Sequence, residues 1–158
     1  MSNDNPSHNE RVGFYAGSFN PFTIGHKSIV DRALGIFDRI IIGIGCNMAK
    51  SGDTSQGGII EKRRQEIESC FASEPRVEVV AYEGLTAEAA VKMGACALIR
   101  GVRGVADFES ERTLADINRE VNGIETVIFM ALPEYGHVSS SMVRELSHFG
   151  KDVSRYLP

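Results

Sequence analysis

Residues 12–26 read VGFYAGSFNPFTIGH. The first part, VGFYAG (12–17), is a short β-rich apolar run; SFNPF interrupts it with polar and turn residues. From Thr23 the chain enters a helical pattern in which Ile29, Val30, Ala33, Leu34 and Phe37 recur on one face. Gly17 permits close backbone approach, Pro21 sets a turn and Thr23 is a favoured N-cap, so helix-start N–H groups and the His26 imidazole face the same space. A phosphate would fit there. The plainer alternative is a tight strand-to-helix turn in which Thr23 caps and His26 merely occupies the first turn.

The same alternation continues outward from this stretch. RIIIGIGC (39–46), RVEVVAY (76–82), CALIRG (96–101) and TVIFMAL (126–132) are mostly near-continuous apolar runs, as strands buried on both faces require. Between and after them, Ile60, Ile67, Cys70 and Phe71, and later Met142, Val143, Leu146 and Phe149, mark further amphipathic helices. A charged helix from about 106 to 121 is expected to present a solvated face, with Arg112 and Asp116 spaced for an ion pair. The pattern predicts an α/β fold: a Rossmann-like, doubly wound five-stranded parallel sheet with helices on both faces. Residues 1–10 are expected to be a flexible extension and residues 11–158 a single domain.

Composition narrows the classes. The chain has 158 residues, 42% of them apolar and 24% charged, with a formal net charge of −4, so no global basic field draws it to nucleic acid or anionic lipid. Cys46, Cys70 and Cys96 show neither metal nor redox spacing, and a reducing compartment is expected. The polar start MSNDNPSHNE resembles no signal peptide, and no apolar run reaches membrane-spanning length, so a cytoplasmic location is expected.

Parallel sheets of this kind bind ligands outside the carboxyl ends of their strands. The loops that should lie there are SFNPFTIGH (18–26), NMAKSGDTSQGG (47–58), EGLT (83–86), RGVRG (100–104) and PEYGHVSSS (133–141). In an acidic protein they gather His26, Lys50, Arg100, Arg103 and His137 at one rim, with many hydroxyl and glycine positions, which points to a ligand with several phosphate groups. The two arginines could equally pair with Asp107, Glu109 or Glu111, and both arrangements can coexist. Ser139, Ser140 and Ser141 open the last helix, where one N-cap explains only one of the three; a solvated serine turn is the commoner meaning of such a triplet. Lys50 is otherwise an ordinary exposed lysine. No GxxxxGK motif followed by Ser or Thr occurs, and Met48 replaces the third glycine of a dinucleotide fingerprint in GIGCNM (43–48). HExxH, GxSxG and clustered cysteines are also absent, so noncovalent chemistry without a protein-built metal cage is expected.

GSFNPFTIGH (17–26), LIRGVRGVADFESE (98–111) and VSSS (138–141), in this order and each at a strand end, resemble the nucleotidyltransferases marked by an (H/T)xGH motif, and within them the phosphopantetheine adenylyltransferases. The resemblance runs from about residue 12 to 158. It implies transfer of AMP from ATP to 4′-phosphopantetheine, giving dephospho-coenzyme A and pyrophosphate, with Mg²⁺ assisting. It further implies that His26, Lys50 and Arg103 carry catalysis. Ser18, Phe19, His26, Gly101, Val102, Arg103, Glu111, Tyr135, Gly136, His137, Val138, Ser139, Ser140 and Ser141 would contact ATP, and Ser18, Lys50, Thr86 and Arg100 the acceptor. A homohexamer, and coenzyme A as a feedback inhibitor, are implied in the same way. Another phosphorylated acceptor such as nicotinate mononucleotide, or a nucleotide-binding regulatory module without turnover, are the alternatives. Ser18 and Asn20 stand where many members have Thr and Asp. Gly84 and Thr86 also depart from the common pattern, and the 51–58 loop is longer than usual.

Overall fold

Each apolar run forms a strand, with ends shifted by at most two residues: β1 (Val12–Gly17), β2 (Arg39–Gly45), β3 (Val77–Tyr82), β4 (Ala97–Val102) and β5 (Glu125–Met130). All pairings are parallel, and the order across the sheet is β3-β2-β1-β4-β5. The computed structural model describes residues 9–46 and 55–158. Lys50 therefore lies outside the described residues, as does most of the expected 1–10 extension. Within that extension, Glu10 is described and meets Arg39 at 3.4 Å.

The helices are α1 (Ile24–Ala33), α2 (Ser55–Cys70), α3 (Thr86–Lys92), α4 (Val105–Asn122) and α5 (Ser140–His148). Two of them correct the sequence-based expectations. Residues 55–58 belong to α2 rather than to a loop, although each helical glycine costs about 1 kcal/mol relative to alanine. Burial of Ile67 farther along the same helix and of Phe71 just past its end, with Ile60 packed beside them, outweighs that local penalty. The short helix α3, TAEAAVK, was not legible as an amphipathic pattern because alanine supplies helix propensity without a strong apolar stripe. The expected Arg112–Asp116 pair is also replaced: Asp116 meets Arg119 at 2.6 Å.

Side-chain alternation along β1 sends Tyr15 to one face and Val12, Phe14 and Ala16 to the other. On the first face Tyr15, Ile40, Ile42, Ile44 and Ile99 pack against Ile29, Val30 and Ala33 of α1 and Ile67 of α2. On the second, Phe14, Ile41 and Leu98 meet Ala87, Ala89 and Ala90 of α3. Burying each large side chain contributes on the order of 1.5–3 kcal/mol. Gly43 is required by this packing, since a Cβ there would stand 2.3 Å from Phe14 Cζ. Helix α4 lies beside α3 and buries none of its residues completely.

The order places the functional region. From β1 the chain winds outward through β2 to β3, then crosses back to β4 on the other side of β1. The loops leaving β1 and β4 consequently diverge and open a crevice at the carboxyl ends of the two central strands.

Candidate active site

A cavity of about 520 Å³ occupies that crevice. Ser18, Phe19 and His26 line it from the β1–α1 segment, Arg100, Gly101, Val102, Arg103 and Glu111 from β4 and α4, and Tyr135, Val138, Ser139, Ser140 and Ser141 from the approach to α5. Thus residues more than a hundred positions apart in sequence share one wall. Gly136 and His137 do not line it; the His137 ring instead packs edge-on against Tyr156, with centroids 6.2 Å apart. Thr86 lies elsewhere, in a second cavity. Tyr15, Thr23 and Leu132 also line the crevice, although neither composition nor motif spacing singled out Tyr15 or Leu132.

The β1–α1 loop is held from outside. Phe19 adopts φ 45°, in the left-handed region, and the Asn20–Pro21 bond is cis. A left-handed non-glycine residue costs on the order of 1–3 kcal/mol, so its surroundings must sustain it. Arg63 Nη1 of α2 donates to the Ser18 carbonyl at 2.8 Å, Arg144 Nη1 of α5 to Asn20 O at 2.6 Å, and Ser140 Oγ to Pro21 O at 2.8 Å. Gly17 is needed because a Cβ there would stand 2.9 Å from Cε1 of the Phe19 ring.

Thr23 and His26 form a reciprocal capping box at the start of α1. Thr23 is 1% exposed, and its side chain accepts the His26 backbone N–H at 3.4 Å. In return the Thr23 backbone N–H donates to His26 Nδ1 at 3.0 Å. An acceptor at Nδ1 assigns the ring proton of the neutral imidazole to Nε2. Burial, reinforced by Arg103 and Arg100, pulls the His26 pKa from 6.5 down to about 4. His26 is therefore a neutral N–H donor, stacked on Phe22 at a centroid distance of 5.5 Å. Both sequence readings hold, with Thr23 capping a helix whose first turn carries His26 and the imidazole lining the cleft, and the reciprocal cap from His26 Nδ1 is added by the structure.

The arginines behave differently from one another. Arg100 is 32% exposed and grips Glu111, 12% exposed, through Nε and Nη2 at 2.7 Å each, while its Nη1 donates to Ala16 O at 2.8 Å. Burial opposes its charge, yet the Glu111 carboxylate holds its pKa above the ordinary value. A guanidinium has five N–H groups, so two remain for a ligand. Arg103 is 44% exposed and meets Asp107 at 3.0 Å. Such an exposed pair contributes only about 0–1 kcal/mol, and phosphate can displace it at little cost.

The three serines also divide their work. Ser139 caps α5 by accepting from Met142 N at 3.1 Å, and Ser140 is committed to Pro21; Ser141 accepts from Arg144 at 3.3 Å. The Ser139 and Ser141 hydroxyls accept in these bonds and keep their protons for donation. Together with the unpaired N–H groups of the first helical turn they can receive an anion.

A second cavity, of about 400 Å³, shares Arg100 and Glu111 with the first. Its other walls include Thr86, Leu98, Leu114, Ile117, Asn118 and Val121. Leu114, Ile117 and Val121 follow helical spacing on α4, so the face expected to be simply solvated is the wall of a groove. Tyr82 Oη lies 2.7 Å from Thr86 Oγ1 and orients that hydroxyl.

No group of three His, Cys, Asp or Glu side chains is arranged to hold a metal among the described residues. Asp107 and Glu111, the carboxylates of the main cavity, are both engaged by arginine. These side chains do not by themselves fit a magnesium cage. No described helix is long and apolar enough to cross a membrane.

Around this crevice, on a Rossmann-like sheet, stand a neutral histidine, two arginines and a serine-capped helix, and the chain matches the cytidylyltransferase-like family over residues 14–146. It is 46% identical over 149 residues to the phosphopantetheine adenylyltransferase of Porphyromonas gingivalis, covering 94% of this chain and 95% of that protein. The enzyme of the same name from Phocaeicola vulgatus is 48% identical over 148 residues, with 94% and 95% covered, and that from Cytophaga hutchinsonii 42% over 149 residues, with 94% and 97%. The chain belongs to the phosphopantetheine adenylyltransferase family and is a nucleotidyltransferase. Among solved structures, a bifunctional NMN adenylyltransferase/ADP ribose pyrophosphatase from Francisella tularensis, complexed with AMP and a Mn ion, superposes with TM-score 0.65 at 15% identity, over 94% of this chain and 44% of that one. A putative nicotinate-nucleotide adenylyltransferase from Vibrio parahaemolyticus gives 0.57 at 16% identity, over 94% and 93%. At these identities the likeness is one of fold.

Proposed function

We propose that the chain transfers AMP from ATP to the phosphate of 4′-phosphopantetheine, releasing pyrophosphate and forming dephospho-coenzyme A. The observation that carries this reading is the pair of cavities meeting at Arg100 and Glu111. The crevice with His26, Arg103 and the α5 N-terminus suits a nucleotide and its phosphates. The second groove offers apolar α4 side chains together with Thr86 and Asn118, which suits the aliphatic and amide-bearing arm of the acceptor. Arg100 stands where the acceptor's phosphate would meet the nucleotide.

A phosphate monoester is ionised at neutral pH, so an acceptor oxygen attacks the α-phosphorus without a strong base. The new P–O bond forms as the bond to the bridging oxygen breaks, and its electron pair leaves with pyrophosphate. His26 Nε2–H and the arginines stabilise the added negative charge, and the held β1–α1 loop fixes the geometry. Magnesium would arrive as an ion carried by the triphosphate, since Mg²⁺ commonly relies on substrate phosphates; none of these steps depends on it. Lys50 is proposed to assist at the acceptor side.

Incubation with ATP, Mg²⁺ and phosphopantetheine should yield dephospho-coenzyme A by mass, while nicotinate mononucleotide gives no product. Intact-protein mass with ATP alone should show no adenylylated chain. An AMP adduct would overturn direct transfer, and product from nicotinate mononucleotide alone would overturn the acceptor. Arg103→Ala should raise the ATP Kd about 10-fold with the fold unchanged, because its partner is a weak exposed pair and its ligand an anion. Calorimetric titration with ATP checks this, and an unaltered Kd removes Arg103 from the nucleotide site.

A further inference from the structure

Tyr15 carries a hydroxyl that neither the motifs nor the proposed reaction uses. Its ring is anchored: the residue is 5% exposed, packs edge-on against Phe19 at 5.2 Å between centroids, and lies 6.4 Å from the His26 ring. The hydroxyl forms no hydrogen bond with any described residue. It is not sealed in the core either, since Tyr15 lines the main crevice. It lies beside β4, where a Cβ on Gly101 would stand 4.0 Å from Tyr15 Oη, at ordinary contact distance. Glycine at that position keeps the space above the strand end open beside the hydroxyl.

We propose that Tyr15 Oη–H is a further nucleotide-binding donor, directed at a phosphate oxygen of the nucleotide bound between His26 and the end of β4. This rests on the nucleotide reading of the crevice and adds a contact to it. Facing the open crevice, the hydroxyl is not among the buried unpartnered atoms, and a ligand that displaces water from it has to supply a replacement hydrogen bond. The surrounding charges favour an anionic partner, because Arg100 and Arg103 flank Gly101 while Glu111 is already held by Arg100. Burial pushes the phenol pKa well above its ordinary value, so the group remains a neutral donor throughout the physiological range and offers a proton to a phosphate oxygen. Unlike Arg100, it has no competing protein acceptor to give up.

Tyr15→Phe removes the oxygen and leaves the ring to pack against Phe19. Its unliganded thermal midpoint should equal or exceed that of the parent chain, since the deleted group makes no bond in the empty protein. The ATP Kd should rise about 10- to 100-fold, the range expected for one hydrogen bond to a charged acceptor. The shift in midpoint that ATP produces should shrink accordingly. Adenosine, which lacks phosphate, should bind parent and variant equally. An ATP Kd within twofold of the parent overturns the proposal, as does an equal loss of affinity for adenosine, which would assign the hydroxyl to the nucleoside. Both titrations omit the acceptor, so a wrong acceptor assignment leaves them intact. Failure of the parent chain to bind ATP would instead overturn the nucleotide reading.

Discussion

Replacing His26 by alanine should lower kcat about 10²–10³-fold while leaving the ATP Kd within about threefold, as expected for a donor whose contact strengthens as charge develops. The expectation follows from Nδ1 being occupied by the Thr23 N–H, which leaves Nε2–H as the group facing the crevice. His26→Gln, which retains an N–H donor near the same position, should recover part of the loss. Pyrophosphate-release kinetics beside ATP titration test the pair. Unchanged turnover in the alanine variant, or an affinity loss as large as the kcat loss, removes His26 from the transition state.

The histidine also makes a pH statement. Its pKa falls from 6.5 to about 4 in the folded chain, so between those values the unfolded chain binds a proton that the folded one refuses. Stability from this group is present in full above 6.5 and is lost as pH falls towards 4, an amount on the order of 3 kcal/mol. The parent chain should therefore lose more stability than His26→Gln between about pH 7 and 5. Equal losses in denaturant titrations would contradict a buried neutral imidazole. Turnover should show no inflection near 6.5 from this residue.

Arg100→Met should raise the acceptor KM about 10²-fold and alter the ATP Kd much less. A bidentate charge-assisted contact contributes on the order of 1.5–3 kcal/mol, and its removal also leaves Glu111 as an unpaired carboxylate beside an incoming phosphate. The second effect is separable. Arg100→Met combined with Glu111→Gln removes the repelling charge and should bind acceptor better than Arg100→Met alone, so the two substitutions should be non-additive. Additive losses would mean that Arg100 and Glu111 act independently, contrary to their paired 2.7 Å contacts. An acceptor KM unchanged in the single variant would place the acceptor phosphate elsewhere.

Much of this site was legible before folding was considered. TIGH placed His26 at a helix start, RGVR placed two guanidinium groups at a strand end, and the serines preceding the last apolar stripe marked a cap. Each is a local signal, because helical and strand periods, capping preference and turn chemistry act within a few residues. The second groove was less legible. Leu114, Ile117 and Val121 look like any apolar stripe interleaved with charges, and only α3, β4 and β5 around them turn that stripe into a wall.

The order β3-β2-β1-β4-β5, and with it which loops part to form the crevice, was decided by the tertiary structure. The five parallel strands, the rim at their carboxyl ends and the chemistry of that rim follow from the linear pattern of apolar runs and loop residues. The state of each donor does not. Arg100 is occupied by Glu111 eleven residues on, Ser140 by Pro21 119 residues back, and the Tyr15 hydroxyl by no described residue. Hydrogen-bond partnership and burial depend on which side chains meet in space, and residue type alone carries no record of that meeting.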